Sequence, residues 1–352
     1  MPLDLTDDVV TLTAALCDIE SVSGNEQPIA DAVEATLQLP HLSVSRHGNT
    51  VVARTDLGRP ERVALAGHLD TVPLATTPNL PTRRVGDQLW GRGTVDMKGG
   101  IAVQLRLAAA LTRPTRDLTY VFYDCEEVEA ERNGLAKLAA TAPDLLRADF
   151  AVLLEPTAAA VEGGCKGTLR VEVTATGVAA HSARPWNGHN AIHEVAAILN
   201  RLLAYEPRVV TVDGLEYHEA LNAVAISGGI AGNVIPDRCT VAVNYRFAPD
   251  LTGAEALTHV CELFDGYAVQ LIDTADGARP GLDRPAAQAF VAALGAPVTA
   301  KEGWTDVARF SALGIPAVNF GPGDPNLAHH DEERVPVQQL LDAEAALLRW
   351  LA

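Results

Sequence analysis

Cysteines are few in this sequence, and none of them is spaced as a metal-binding or disulfide pair. The five are odd in number, widely scattered and include no C-x-x-C pair: Cys17, Cys125, Cys165, Cys239 and Cys261. This pattern argues against a disulfide framework and against a thiolate zinc site. We therefore expect the protein to work in the reducing cytoplasm.

Basic residues are scarce compared with acidic ones. The 352 residues contain 27 Lys and Arg against 45 Asp and Glu, which gives a formal net charge of −18. A polyanion of this size repels nucleic acids and anionic lipid surfaces, so we expect neither as a partner.

Long apolar runs are also missing. The most apolar stretch, 101–111, is short and contains Gln104 and Arg106, so it cannot span a bilayer. The first residues, MPLDLTDDVV, carry acids where a secretory signal needs bases, and we expect no signal peptide. Apolar residues make up 48% of the chain, as in an ordinary globular protein, and the length predicts two domains.

Short apolar strands alternate with helical segments through the first part of the chain. Strands are predicted over 50–54, 62–66, 118–123 and 150–154, and helices over 7–20, 27–39 and 97–111. Strands separated by helices predict an α/β domain in which a mixed sheet lies between helices.

The pattern changes over residues 168–277. It predicts strand 168–175, helix 190–203, strands 223–228 and 240–247, helix 253–264 and strand 267–272. This β-α-β-β-α-β order is that of a ferredoxin-like α+β unit, and it looks inserted, because the earlier alternation then resumes (285–294, 306–313, 317–320 and 337–351). We expect a discontinuous domain over 1–167 and 278–352 and an inserted domain over 168–277.

Acidic residues and histidines follow the ends of the predicted strands, where open α/β sheets bind ligands. In G-H-L-D, His68 and Asp70 face the same side of an extended chain, so Asp70 can hold the other ring nitrogen of a metal-bound His68. The other candidates are Asp96 in T-V-D-M-K, Glu126 and Glu127 in C-E-E, Glu155 in L-E-P, and His329 and His330 in A-H-H-D.

Imidazoles and carboxylates without sulfur suit zinc, cobalt or manganese. Two histidines with three or four carboxylates are too many for one open catalytic zinc, and they suit two ions about 3.5–4 Å apart that share a bridging carboxylate. The adjacent Glu126 and Glu127 point in different directions, so one can bind metal while the other acts as a base. Each motif alone has an ordinary structural explanation, but together they favour a catalytic metal centre.

These motifs, with G-V-A-A-H-S-A-R-P-W-N-G-H-N-A, N-V-I-P and G-P-G-D-P-N-L-A-H, resemble the dizinc peptidase and amidohydrolase family over nearly the whole chain. The resemblance implies a zinc-peptidase-like catalytic domain interrupted by a lid domain that forms a homodimer, and two divalent metal ions, Zn²⁺ or else Co²⁺. It implies that Asp96 bridges the ions, His68 and Glu155 complete one site, Glu127 and His329 complete the other, Glu126 is the general base and Asp70 is the outer partner of His68.

The resemblance extends to the lid and to the substrate. It implies that His181 stabilises the oxyanion in the partner subunit's active site and that Asn233 and Arg246 contact the substrate. Lys166, at the domain junction, is a further candidate for substrate binding. We prefer His329 over His330 as the metal ligand, because Glu333 follows it four residues later, as in the family's H-x-x-x-E pattern.

The stretches around these motifs resemble the succinyl-diaminopimelate desuccinylase subgroup. The expected substrate is thus a small N-acyl amino acid, N-succinyl-L,L-2,6-diaminopimelate, cleaved for lysine and diaminopimelate synthesis. Acetylornithine deacetylase and other N-acyl amino acid hydrolases or carboxypeptidases share every catalytic motif and stay open as the alternative.

Two other classes of function compete with a metallohydrolase. One is a cysteine hydrolase that uses Cys125 or Cys165, but the glutamates beside Cys125 disfavour its thiolate. The other is a non-catalytic metal- or peptide-binding module, which has no need of Glu126 beside the ligand Glu127.

Overall fold

The computed structural model describes residues 3–77 and 79–352. The chain forms two compact units, the first over Met1–Gly163, Pro280–Thr299 and Arg309–Ala352, the second over Gly164–Arg279 and Ala300–Ala308. The sequence-based division put 300–308 in the catalytic domain, whereas in the structure this segment packs within the second unit. An ion pair between Lys166 and Glu302 ties it there (2.5 Å).

Polar side chains at the N-termini fix where several helices begin. The Asp8 carboxylate accepts the N–H groups of Val10 and Thr11, and Thr252 forms a capping box with Glu255. Within the described residues the helices are α1 (Val9–Cys17), α2 (Gln27–Thr36), α3 (Lys98–Ala110), α4 (Gly134–Thr141), α5 (Ala191–Ala204), α6 (Gly253–Leu263), α7 (Pro285–Leu294), α8 (Val307–Ala312) and α9 (Val337–Leu351). None of them is long and apolar enough to cross a membrane.

The strands of the described residues are short at the domain edges and longer at the centres of the sheets. They are β1 (Ser43–His47), β2 (Thr50–Arg54), β3 (Arg62–His68), β4 (Arg83–Val85), β5 (Gln88–Trp90), β6 (Asp117–Tyr123), β7 (Phe150–Leu153), β8 (Val161–Gly163), β9 (Gly167–Thr176), β10 (Ala180–His181), β11 (Val209–Val212), β12 (Leu215–His218), β13 (Ala220–Gly228), β14 (Val234–Ile235), β15 (Arg238–Phe247), β16 (Ala268–Ala275), β17 (Val298–Ala300), β18 (Ala317–Asn319) and β19 (Arg334–Pro336).

The main sheet of the first unit is mixed, as the sequence predicts. Its order is β1-β2-β6-β3-β7-β18-β8-β17, and its centre is parallel, because β3 pairs with both β6 and β7 and β7 pairs with β18 in that sense. The carboxyl ends of these central strands therefore meet at one edge. A separate three-stranded sheet, β19-β5-β4, lies in the same unit.

Helix α3 fits closely against the end of β7. Its Gly100 lies where a Cβ atom would come within 2.2 Å of the Leu154 carbonyl oxygen, so no larger residue fits. Its apolar residues are buried on nearly every side and join one large core with α1, α9 and the sheet. This packing fixes the start of α3, and thus Asp96 just before it, against the edge of the sheet.

The second unit is built on an antiparallel sheet with the ferredoxin-like strand order. The order β13-β15-β9-β16 and the chain order β9-α5-β13-β15-α6-β16 are those predicted for the inserted segment. Apolar residues of β9 and β15 alternate with polar ones and pack against α5 and α6. A hairpin, β11–β12, is an addition that the sequence reading missed.

Candidate metal centre

Four of the predicted metal ligands converge at the carboxyl edge of the main sheet. His68 ends β3, Asp96 precedes α3, Glu127 follows β6 and His329 lies in the loop before β19. Ligand atoms of His68, Asp96 and Glu127 all lie within 4.8 Å of one another. The His329 Nε2 atom is 2.9 Å from Glu127 Oε1.

The two carboxylate oxygens of Asp96 face different histidines. Oδ1 is 3.0 Å from His68 Nε2, and Oδ2 is 3.4 Å from His329 Nε2. A carboxylate that bridges two ions needs this arrangement, with one oxygen turned toward each ligand group. The donors are imidazoles and carboxylates without sulfur, a set that fits two zinc or cobalt ions.

Glu155, the fifth predicted ligand, follows the neighbouring strand. The pairing of Ala66 with Leu153 puts it at the level of His68, because both lie two residues beyond that pair on parallel strands. Glu155 is buried, with 6% of its surface exposed. Its place just beyond the end of β7 is compatible with the predicted ligand role beside His68.

Asp70 organises the backbone of the two glutamates. Its Oδ1 accepts the N–H of Glu126 (3.0 Å) and its Oδ2 accepts the N–H of Glu127 (3.1 Å). The sequence predicts that the Asp70 carboxylate holds the His68 ring. In the structure the Asp70 carbonyl oxygen is nearer to His68 Nδ1, at 3.0 Å, than the carboxylate oxygen Oδ1, at 3.5 Å. Asp70 thus links the position of His68 to that of the glutamate pair.

The structure distinguishes His329 from His330. The His330 Nδ1 atom accepts the N–H of Glu332, and its carbonyl oxygen accepts from Arg92, so within the described residues its ring serves its own loop. Of these two histidines in the described chain, only His329 has a ring that contacts the carboxylates of Asp96 and Glu127. His329 therefore fits the ligand role that its H-x-x-x-E spacing predicts.

Charge strongly perturbs the titration of this cluster. Burial alone would lower the pKa of His68, but the carboxylates of Asp70 and Asp96 outweigh burial and raise it well above its usual value. Hydrogen bonds to Asp96 and Glu127 raise the pKa of His329 to about 10. Burial would raise the pKa of Asp96, but His329 and His68 hold it well below the ordinary range.

Four supporting residues were missed by the sequence reading or left without a role. The Ser23 hydroxyl donates to Asp70 Oδ2 (2.7 Å), and Glu26 Oε1 accepts the N–H of Cys125 (3.3 Å). Arg92 and Glu333 form a buried ion pair (2.9 Å) beside Asp96. The signals were the polar stretch S-V-S-G-N-E and the arginine of G-R-G-T-V-D, neither of which ends a predicted strand.

The second unit carries the predicted lid residues. His181 ends β10 and Asn233 directly precedes β14; both are exposed, and the Ser182 N–H donates to the Asn233 carbonyl oxygen (3.0 Å). The Ala183 N–H donates to His181 Nδ1 (3.1 Å). The neutral His181 ring therefore carries its proton on Nε2.

The two predicted substrate cations differ in their surroundings. Lys166 is buried, and its ammonium group binds Glu302 and the His218 carbonyl oxygen. Arg246 on β15 is partly buried, and its guanidinium group makes no hydrogen bond or ion pair with any residue in the described parts of the chain. Burial lowers the pKa of Arg246. Arg246 is therefore the better placed of the two to bind an anion.

The cysteines next to the candidate sites are not activated. Burial, followed by Glu26, raises the pKa of the Cys125 thiol to about 12, and burial raises that of Cys165 to about 11. Ligand atoms of Glu26, Asp124 and Cys125 lie within 4.8 Å of one another, but the Cys125 thiol itself donates to Glu26. These thiols do not suit a cysteine hydrolase.

Known proteins are similar to this chain over most of its length. The family model described as Peptidase family M20/M25/M40 matches residues 64–352. A Mycobacterium tuberculosis protein named "Putative succinyl-diaminopimelate desuccinylase DapE" is 57% identical over 353 residues, 99% of each chain. The succinyl-diaminopimelate desuccinylase of Corynebacterium glutamicum is 47% identical over 362 residues, 99% of this chain and 98% of that one. The acetylornithine deacetylase of Myxococcus xanthus is 31% identical over 353 residues, 92% and 91% of the two chains.

Solved structures share the fold at low identity. A tripeptidase from Staphylococcus aureus superposes with a TM-score of 0.78 at 19% identity, covering 100% of this chain and 98% of that one. A family M20 metallo-carboxypeptidase from Sulfolobus solfataricus also gives a TM-score of 0.78, at 15% identity and 98% coverage of both chains. The predicted α/β fold is therefore that of the M20 peptidases.

Proposed function

Because this chain belongs to peptidase family M20/M25/M40, a family of metal-dependent amide hydrolases, we propose that it is a succinyl-diaminopimelate desuccinylase. It would hydrolyse N-succinyl-L,L-2,6-diaminopimelate to succinate and L,L-2,6-diaminopimelate. The observation that carries this choice is the full-length similarity to two proteins of that name, at 57% and 47% identity. The relative named acetylornithine deacetylase is less similar, at 31%.

Two divalent ions, Zn²⁺ first and Co²⁺ as the alternative, are the proposed cofactors. His68, Glu155 and Asp96 would hold one ion, and Asp96, Glu127 and His329 the other. The split of the Asp96 oxygens between the two histidines supports this assignment. When bound, such ions acidify water and polarise the amide carbonyl group.

Glu126 is the proposed general base. The Asp70 carboxylate accepts the backbone N–H of Glu126. The carboxylate of the adjacent Glu127 faces His329. Glu126 would accept the proton of the attacking water and pass it to the nitrogen of the leaving amine. Adjacent glutamates can divide these tasks because one carboxylate is committed to the ligand group.

His181 is the proposed oxyanion donor, acting in the active site of the partner subunit. The proton on its Nε2 atom suits a hydrogen bond to the carbonyl oxygen as charge develops there. The second unit would serve as lid and dimerisation domain. Edge strand β13 supports this, because among the described residues it has a strand partner on one side only. Three apolar side chains are exposed on it or just beyond it, those of Val224 (58%), Ile226 (52%) and Ile230 (89%).

Arg246 is the proposed contact for a substrate carboxylate, with Asn233 beside His181 as a second contact. A partly buried guanidinium group without a partner in the described chain offers its planar fork to a carboxylate. Lys166 stays a candidate only if its ion pair with Glu302 opens. All five cysteines are free, which supports the cytoplasm as the place of action.

The deciding experiment compares turnover of N-succinyl-L,L-2,6-diaminopimelate and N-acetylornithine by the zinc-loaded enzyme. We expect strong preference for the succinyl substrate, and a preference for N-acetylornithine would contradict the proposal.

Arg246→Ala should lower kcat/KM by roughly 30- to 1000-fold, or about 2–4 kcal/mol, for a lost charged pair. Loss on the succinyl substrate alone would place Arg246 at the succinyl carboxylate, and equal loss on both would place it at the amino-acid carboxylate.

A further inference from the structure

We propose that Arg92 and Glu333 are positioning residues that set the affinity for the metal ion held by Glu127 and His329. The pair joins the loop that carries Asp96 to the loop that carries His329. The inference rests on the two-metal centre of the proposed function and adds two residues of this chain to it.

Glu333 holds the backbone of the bridging ligand. Only 1% of Glu333 is exposed, and its Oε1 accepts the N–H groups of Val95 (2.9 Å) and Asp96 (3.1 Å). Its Oε2 accepts from Arg92 Nη1 (2.9 Å). Both oxygens are therefore engaged, one with the Asp96 loop and the other with the arginine.

Arg92 forms a hydrogen bond with the loop that carries His329. It is 3% exposed, and the same Nη1 atom also donates to the carbonyl oxygen of His330 (3.2 Å). His329 itself has a left-handed backbone (φ 64°) and a side chain that is 54% exposed. Because His329 lies on an exposed loop, the hydrogen bond from Arg92 to the next residue restrains where its ring can lie.

A buried ion pair is weak evidence for a role in stability, because apolar residues of similar volume often replace one without loss. Groups that fix metal ligands have a different signature, since their removal typically lowers metal affinity 10- to 100-fold. Arg92 contacts the His329 side, whereas the hydrogen bonds of Glu333 to Val95 and Asp96 do not need Arg92. The effect should therefore fall on one ion more than on the other.

The test is a Co²⁺ titration of the metal-free full-length protein, followed by calorimetry and by the visible absorption of bound Co²⁺. In Arg92→Met we expect one of the two binding steps to weaken 10- to 100-fold and the other to stay within about threefold. Glu333→Gln should give the same pattern, because it keeps an acceptor for the two N–H groups but turns an amide NH₂ toward Arg92. The matched control is Arg106→Met, which removes an ion pair of the same length to Glu344 (2.9 Å) between α3 and α9 and should leave both steps unchanged.

Unchanged binding in a folded Arg92→Met protein would overturn the inference. Equal weakening of both steps, with a fall in Tm like that of Arg106→Met, would overturn it too, because it would show a purely structural role. If Arg92→Met does not fold, Arg92→Lys decides, since the lysine side chain is one bond shorter and its ammonium group does not reach the position of Arg92 Nη1 between Glu333 and the His330 carbonyl oxygen. Wild-type protein that binds a single equivalent of Co²⁺ would instead contradict the proposed two-metal function.

Discussion

The Asp70 carboxylate holds the backbone N–H of Glu126 at 3.0 Å. The same carboxylate accepts the N–H of Glu127 and the hydroxyl of Ser23, while the carbonyl oxygen of Asp70 lies 3.0 Å from His68 Nδ1. One fully buried residue thereby connects the proposed base, one metal ligand from each ion and the N-terminal segment. Its influence should extend beyond the His68 ring.

Asp70→Asn should lower kcat about 10- to 100-fold, because the amide NH₂ cannot accept one of the two backbone N–H groups. Ser23→Ala is the matched control, since it removes a single hydrogen bond to the same carboxylate and should cost roughly fivefold. Steady-state kinetics on the zinc-loaded proteins would measure both. Wild-type kcat in Asp70→Asn would mean that the glutamate pair holds its position without Asp70.

Glu126→Gln should abolish most turnover while both metal ions stay bound. The substitution keeps the shape of the side chain and removes the base, so kcat should fall on the order of 10²- to 10⁴-fold. Metal analysis of the purified variant provides the second readout. Glu127→Gln is the contrasting variant, because it should lose metal as well as activity. Near-normal turnover of Glu126→Gln would assign the base elsewhere.

Metal binding should release protons and strengthen as the pH rises. Without metal, the raised pKa values keep His68 and His329 protonated at pH 7, and both must lose the proton to bind an ion. We expect release of about two protons when both ions bind, measurable by calorimetry in buffers of different ionisation enthalpy. In the metal-free protein, the stabilisation from the His329 contacts is complete below pH ~6.5 and is lost as the pH rises through about 10. Proton-free binding at pH 7 would contradict this account.

Activity should be restored by mixing two inactive subunits if His181 acts across the dimer. His181→Ala and Glu126→Gln homodimers should each be inactive. One site of a mixed dimer combines an intact Glu126 with the partner's intact His181, so co-expression should recover part of the activity. Verified mixed dimers without recovered activity would confine His181 to its own subunit or remove it from the mechanism.

The candidate metal ligands could be predicted from the sequence because parallel strands bring their carboxyl ends together. His68 ends a buried strand, Glu127 and Glu155 each follow one, and β3, β6 and β7 pair in parallel as neighbours. The buried, apolar composition of these strands made them recognisable. The alternation of apolar and polar residues in β9 likewise predicts a half-exposed strand, which pairs antiparallel in the second unit.

The supporting residues could not be found in the same way. The Arg92–Glu333 pair and the Ser23–Asp70 hydrogen bond join residues far apart in sequence, and no local pattern encodes such a pairing. Strands β4, β5 and β19 have three residues each, too few for a period to emerge. Segment 300–308 packs in the second unit through the partners of Lys166 and Cys165, which composition does not reveal.

The most direct test of the two-metal centre is anomalous diffraction at the zinc edge from crystals grown with Zn²⁺. The account predicts two peaks about 3.5–4 Å apart. Asp96 should coordinate both ions, His68 and Glu155 should coordinate one of them, and Glu127 and His329 the other. A single peak, or zinc held by Glu26, Asp124 and Cys125 instead, would contradict it.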